Sequence, residues 1–506
     1  MGLYDFTIYD FICRNASITP HQDCLVFQNA RLTHEQFKER CDQVAAGLRR
    51  AGIQKGDRLG VLSQNCLEFM ILIGAAAKMG AIVLPVNWRF QKEEVEFVLQ
   101  DCTPTFVFAG PEYRKMILEA KAKIPSITRC YTLGGGERAE GYFPFEDLFS
   151  REGAEEEINI PSNSGFVIIH TAAVAGRPRG ALLSHANIIA ANLGYMYRFG
   201  LGTQDCFLCF LPLYHAAGLC TALAIMHAGG KNVIVERFDA QAILQLIEKE
   251  KGTLFFNFAP ILKMILDKYE EGSYNLSSLR AVTGLDTRET VTRFKKLVPH
   301  AIYWTGFGQT ECMGVSSASY DEKPGSAGKP SPLCRVALFD DYHQEVSVGT
   351  PGEICVRSPM VFLGYWGRDE DNAYTFRNGW HHTGDIGRFD EEGNLWYVKR
   401  KAEKELIKPG GENVYPVEVE KAILEHPEVA EVSVIGVRDP EWGEAIKAVC
   451  VLKKGSSLTA QGLIDFVASR IARYKKPKYV QFVPSLAKDD LGMINREKVK
   501  AEFGNK

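Results

Sequence analysis

Between residues 32 and 110 the sequence alternates three times between a helical segment and a short apolar run. LTHEQFKERCDQVAAGLRRAG, closed by Gly52, CLEFMILIGAAAKMG and KEEVEFVLQDC read as helices; DRLGVLSQN, AIVLPVN and TFVFAG read as the strands between and after them. Such a rhythm demands a parallel sheet, because each helix carries the chain back to the edge where the preceding strand began. The runs FVIIHT, CFLCFLPL, KNVIVE and TLFFNF prolong the pattern.

After about residue 325 the texture changes to Gly-punctuated, alternating segments such as GEICVRSP and NLWYVKR, which suit antiparallel strands. The charged stretch KRKAEKELIK, Lys399 to Lys408, precedes a last unit that reads helix (EVEKAILEHPEV), strand (AEVSVIGV), strand (AIKAVCVLK), helix (LTAQGLIDFVASRIA) and strand (YVQFV). A domain boundary is therefore expected near Arg400, dividing the chain into residues 1–400 and 401–506. At roughly 150 residues per domain, a chain of 506 holds about three packed units.

With 59 basic and 62 acidic residues the net charge is −3, too little field to hold phosphate backbones or anionic lipid, so nucleic acid is excluded as a partner. The longest apolar stretches, Phe69 to Val86 and Ala216 to Gly230, are broken by Lys78 and His227 and are rich in Gly and Ala, which predicts buried helices and no membrane span. MGLYDFTIYDFICRN lacks the basic start and long apolar run of a signal peptide, and Phe6 occupies the place where a myristoylation signal needs a hydroxyl. Thirteen scattered cysteines, an odd number, predict a reducing, cytoplasmic location without disulfides. Cys206 and Cys209 form a CxxC, but with no second pair and an apolar context they read as core.

A strand, a basic Gly-containing loop and a helix are read in FVIIHTAAVAGRPRGALLSHANIIAANLGYM, an order that suits phosphate because loop N–H groups and a helix N-terminus can face an anion. Four more segments follow in order: LPLYHAAGL at 211–219, WTGFGQTE at 304–311, GWHHTGD at 379–385 and IKPGGENVYPVEVE at 407–420. Together the five resemble the adenylate-forming superfamily of acyl-CoA synthetases, luciferases and peptide-synthetase adenylation domains. The last two look closest to the acid:CoA ligase branch, and the likeness spans about residue 10 to about residue 500.

The resemblance implies an α/β fold: a large N-terminal domain of βαβ sheet subdomains with a small antiparallel barrel-like part, and a small mobile α+β C-terminal domain. It implies two steps, attack of a carboxylate on the α-phosphate of ATP and then displacement of AMP by the thiol of coenzyme A, with the C-terminal domain rotating between them. Glu311 would bind Mg²⁺ and Thr310 would give its hydroxyl to phosphate. Thr171, Gly176, Arg179, Gly284, Phe307 and Gly308 would contact the nucleotide, Phe307 lying against adenine, with Asp385 on the ribose hydroxyls and Arg400 beside it. The usual spacing after this arginine is stretched here. His215, Gly284, Trp304 and Gly306 would border the acyl pocket, and Gly410-Gly411 with Lys408 would pass the pantetheine. Arg89, Lys475 and Lys476 would meet coenzyme A phosphates, with plain solvation an equal reading for each.

Two departures stand out. Ala172, Ala173, Val174 and Ala175 replace hydroxyl residues in the phosphate loop, Arg179 replaces its lysine, and Thr171 is the only hydroxyl left. Met493 stands where the family has a lysine that touches both the carboxylate and the α-phosphate, and Lys488 and Lys498 lie five residues to either side. Losing such a donor costs about 3 to 4 kcal/mol in a transition state. Either the first half-reaction is naturally lost or altered, or Met493 is a deliberate substitution that stops turnover; the intact remaining motifs and the length of Met favour the second.

The sequence therefore predicts a carboxylic acid:CoA ligase using ATP, Mg²⁺ and coenzyme A on a non-polar, medium-sized acid. Its oligomeric state is open, a homodimer included. An adenylating enzyme that loads a carrier protein, and a non-catalytic acyl-adenylate or nucleotide sensor, remain as alternatives.

Overall fold

A computed structural model describes residues 2–135, 139–153, 158–171, 178–401, 406–410, 412–488 and 494–504. The strand Arg58–Leu62 lies between Ile82–Pro85 and Phe106–Ala109, parallel to both, and the helices Leu67–Met79 and Lys92–Cys102 make the returns. Gly165–Thr171 and Arg129–Thr132 extend this seven-stranded sheet, again in parallel.

The later apolar runs do not continue that sheet. Cys206–Cys209, Lys231–Ile234, Leu254–Phe258, Ala281–Leu285 and Ile302–Gln309 form the parallel part of a second, nine-stranded sheet, which also recruits Asp23–Phe27. Between the sheets lie Leu67–Met79 and Ala216–His227, the two helices that are apolar on every side. Val61, Phe108 and Ile169 from one sheet and Leu25, Phe207 and Ile234 from the other share one core with them. A helix without a polar face needs cover all round, and two facing sheets supply it.

Lys78 and His227, which interrupt those helices, are both accommodated: Lys78 Nζ lies 2.8 Å from Asp42 Oδ1, and His227 stacks on Phe11 at 4.7 Å. No helix among the described residues is long and apolar enough to cross a membrane. All thirteen cysteines are free. Cys206 and Cys209 are three apart on one strand and so point to opposite faces, each into a different core, where burial pushes both thiols up to about 12. The CxxC cannot act as a pair.

One expected arrangement is different. The basic loop is not followed by a helix: Arg179–Ser184 is a strand, antiparallel to Gly165–Thr171, and the helix His185–Phe199 begins only after it, capped by Ser184. The loop is a hairpin connection, so any anion there is met by loop N–H groups and side chains without a helix N-terminus.

Four antiparallel strands, Arg335–Phe339, Gly352–Arg357, His381–Phe389 and Leu395–Arg400, make the third sheet. Beyond them Val429–Asp439, Gly443–Leu452 and Tyr479–Phe482 form a three-stranded sheet, two antiparallel and the last parallel. Helices Pro416–Leu424 and Ala460–Arg470 cover one face through Val419, Ile423, Leu463 and Val467, and Arg496–Phe503 covers the other through Val499.

A buried carboxylate holds the end of the third sheet. Glu353 meets His382 Nδ1 at 3.0 Å, Arg377 at 3.1 Å, Lys401 at 3.2 Å and the Gly384 N–H at 3.0 Å. Burial opposes its ionisation, but His382 and Lys401 outweigh that and hold it down at about 2. A carboxylate whose folded pKa lies below its unfolded 4.5 stabilises the fold above that value and loses the contribution as pH falls toward 2. Glu353→Gln should therefore remove about 3 kcal/mol at neutral pH and flatten the acid limb of stability between pH 4.5 and 2, as read by urea unfolding across that range.

Candidate active site

The strand Ile302–Gln309 turns tightly into Cys312–Ser319, and the turn delivers Thr310 and Glu311 to the space between the first two sheets. Glu311 is buried, and one oxygen accepts a 2.7 Å hydrogen bond from the Tyr365 hydroxyl. Burial and that carboxylate keep the phenol protonated. The Arg179 guanidinium lies 4.0 Å from the centre of the Tyr365 ring and pairs with Asp371 at 2.9 Å, while its buried Nε has no partner. Lysine could not stack in this way, so Arg179 is not a mere charge replacement.

Asp385 and Arg400 are directly opposed in the register of their two strands, and Arg400 Nε lies 2.9 Å from the fully buried Asp385 carboxylate. The stretched spacing beyond Arg400 leaves this pairing untouched, because cross-strand register and not the following loop sets it. Gln309 donates to the same carboxylate and to the Thr383 carbonyl at 3.0 Å. Thr171, Arg179, Gly308, Thr310, Glu311, Arg400 and Lys408 converge on a polar cavity of about 80 Å³, together with Tyr365, Thr383, Asn413 and Tyr415. Phe307 is half-buried, its ring 6.5 Å from that of Tyr397. Lys408 is buried, and burial with the nearby Arg400 charge lowers its pKa.

An adjoining apolar cavity of about 180 Å³ is walled by Tyr195, Phe199, Phe256, Phe258, Leu285 and Met313, with Gly284, Gly306 and Gly308 on its backbone side. Gly284 has φ +147°, and a Cβ there would stand 1.9 Å from the Asn257 carbonyl oxygen, so this wall is backbone by necessity. Trp304 does not line the cavity: its ring sits edge-on against Phe199 at 5.3 Å, one layer behind. His215 caps the helix Ala216–His227, its Nδ1 accepting the Ala217 N–H at 3.1 Å. Its proton therefore resides on Nε2, and burial lowers its pKa, so the ring is a neutral donor.

His215 and Phe258 also line a third cavity, of about 370 Å³, with Trp88, Arg89, Pro212, Arg237, Gly410 and Glu412. Gly410 has φ +58°, and a Cβ would meet the Trp442 ring at 2.6 Å. Arg89 is committed to Glu412 and, at 2.8 Å, to the Tyr214 hydroxyl. Lys475 is 3% exposed, between Glu94 at 2.6 Å and Glu418 at 2.8 Å, and of the three expected phosphate contacts Lys476 alone is exposed. Gly176, Gly411 and Met493 lie outside the described residues. Lys488 is paired with Glu431 at 2.6 Å, and Lys498 is exposed on the helix Arg496–Phe503.

Sequence reasoning missed Gln309, Thr383, Asn413 and Tyr415, although each stands inside a motif that it quoted. Tyr365, in GYWGRDEDN, carried no signal at all, since its role comes from a strand pairing with Arg179–Ser184. Asp385→Ala should weaken AMP binding by about 1.5 to 3 kcal/mol, the range for hydrogen bonds to a charged group, as measured by calorimetric titration.

Comparison with known proteins agrees with this geometry. The family described as AMP-binding enzyme matches residues 13–366, and AMP-binding enzyme C-terminal domain matches residues 418–492. An indoleacetate–CoA ligase of Aromatoleum aromaticum is 32% identical, covering 97% of each chain. A feruloyl-CoA synthase of an Amycolatopsis species is 31% identical over 97% of this chain and 98% of its own. Among solved structures, a double mutant of o-succinylbenzoate CoA synthetase from Bacillus subtilis, bound to a product analogue, superposes with a TM-score of 0.85 at 26% identity, covering 97% of this chain and 98% of that one.

Proposed function

The chain belongs to the AMP-binding enzyme family and is an AMP-forming acid–thiol ligase of the acid:CoA branch, using ATP, Mg²⁺ and coenzyme A; we propose that its acid is aromatic and that its adenylation step is impaired. The observation that carries this reading is the continuity of three cavities: polar at Glu311, apolar and aromatic at Phe256 and Phe258, and open toward Arg89 and Gly410, the last two meeting at His215.

The residues present fit a metal-bound triphosphate, since Arg179 keeps a buried Nε without a partner and Tyr365 takes up only Oε1 of Glu311 among the described contacts. Mg²⁺ held by Glu311 would neutralise phosphate charge. Asp385 and Arg400 hold the ribose end, and His215 Nε2–H points a neutral donor at the carboxylate end of the acyl pocket. In adenylation the carboxylate oxygen bonds to the α-phosphorus as the bond to pyrophosphate breaks. In the second step the thiol sulfur bonds to the carbonyl carbon, its proton leaves, and AMP departs with the electron pair of the C–O bond.

Aromatic walls and backbone floors at Gly284 and Gly306 favour a flat ring, which buries both faces against aromatic side chains without a clash. Indoleacetate and ferulate, named for the two relatives, have that shape. The hydroxyl-poor phosphate loop and Met493 both bear on adenylation, whereas Lys408 and Gly410 belong to the thioester side. We place the working boundary near Arg400, with residues 1–400 and 401–506 as the two units and the segment after Arg400 as the hinge. Free cysteines support a reducing, cytoplasmic location.

Synthetic indoleacetyl adenylate plus coenzyme A should give thioester at least about a hundredfold faster than ATP plus the free acid, and Met493→Lys should close most of that gap. Equal rates from both substrates would show that adenylation is sound. A panel of carboxylic acids tested with Met493→Lys should favour aryl acids over straight-chain acids of equal carbon number, and preference for the straight chains would overturn the substrate class.

A further inference from the structure

The basic segment RYKKPKY looks from its sequence like a place for phosphate, yet Lys475 is withdrawn from solvent altogether. Its ammonium lies 2.8 Å from Glu418 in the first turn of Pro416–Leu424 and 2.6 Å from Glu94 in the first turn of Lys92–Cys102, on the other side of the expected boundary. The rings of Phe90 and Tyr474 stand 5.0 and 5.8 Å from Nζ and close the site to water.

Glu94 is used at both oxygens. Oε1 faces Lys475, and Oε2 accepts the Gln91 N–H at 2.9 Å and the Ala472 N–H at 3.0 Å. Lys475 and Glu418 are a neutral pair within the C-terminal unit, so Glu94 is a third charge that enters a ready-made pair of donors, one ammonium and one backbone N–H. Separating the units would return Glu94 to water but leave the Ala472 N–H and part of the Lys475 ammonium without an acceptor. Such an assembly is satisfied in one geometry and poorly in any near it, so it fixes register more than it adds stability.

What that register controls is close by. Glu418 also accepts the Tyr415 N–H at 3.0 Å, and Tyr415, Asn413 and Lys408 are on the wall of the polar cavity, while Gly410 and Glu412 line the open channel. Arg89 to Glu412, and Asn87 to the Tyr474 hydroxyl at 3.4 Å, join the units along the same edge. We propose that Glu94 and Lys475 are positioning residues, a buried charge lock that seats the segment 408–415 over the active site for thioester formation, and that Lys475 is not a contact for coenzyme A. The inference rests on the ligase reading above for its catalytic consequence, but not for the lock itself.

Two variants test it. Glu94→Gln keeps shape and the bond from Gln91 N–H, but both remaining partners are donors and an amide can accept from only one of them. Lys475→Met removes the ammonium. Each should slow thioester formation from indoleacetyl adenylate and coenzyme A by about tenfold or more in kcat, with KM for coenzyme A unchanged and the double variant no slower than the worse single one. Each should also speed tryptic cleavage between Lys401 and Lys408, with an unfolding midpoint close to that of the parent chain. A phosphate role for Lys475 predicts otherwise: Lys475→Met would raise KM for coenzyme A, and Glu94→Gln, by freeing the ammonium, would lower it. That pattern, or unchanged rates and cleavage in both variants, overturns the lock. If the parent chain makes no thioester from the adenylate, the ligase reading falls, and the cleavage comparison alone then decides whether the lock exists.

Discussion

The carboxylate of Asp385 is wholly buried, and its charge is tolerable only because Arg400 stands directly across the strand pair from it. A buried carboxylate without such a partner would protonate or be expelled. Once the pair exists, the end of the third sheet is fixed, and the chain leaves it at a defined point and heading. Glu353, one strand over, repeats the device on Lys401, the next residue. Two successive cations are thus anchored on two buried carboxylates just where the C-terminal unit begins.

That anchoring explains how a site built from distant segments can be exact at its centre and adjustable at its rim. Glu311, Arg179 and Tyr365 come from two different sheets, with Tyr365 at the strand edge beside Arg179–Ser184, and are locked by a hydrogen bond and a cation–ring contact. The rim, 408–415, is held instead by charged contacts that water could replace, Arg89 with Glu412 and Glu94 with Lys475. Apolar packing would be costly to open, whereas polar contacts exchange for hydration at small net cost.

The acyl and coenzyme A cavities meet at His215, whose ring is neutral because it is buried and whose tautomer is set by its own helix cap. The same residue that starts the helix therefore sets the polarity at the junction. A charged ring there would bind the carboxylate too firmly in the ground state, and interactions shared equally by ground and transition states do not accelerate a step.

Much of this was legible in the residues themselves. Helical and strand periods are local, so the alternation from residue 32 to 110 could be read without a structure, as could the collinear motifs, because family chemistry demands particular side chains at short spacings. What the chain could not disclose is long-range. The split of parallel strands between two sheets depends on which edges meet, the strand that intervenes after the phosphate loop depends on a pairing with Gly165–Thr171, and the place of Trp304 behind Phe199 depends on packing depth. Lys475 shows the limit most sharply: as a letter in RYKKPKY it is one more surface cation, and only the arrival of Glu94, 381 positions away in sequence, turns it into a buried one. Spacing along the chain determines which groups are available; desolvation, which depends on everything packed around a group, determines what each of them can do.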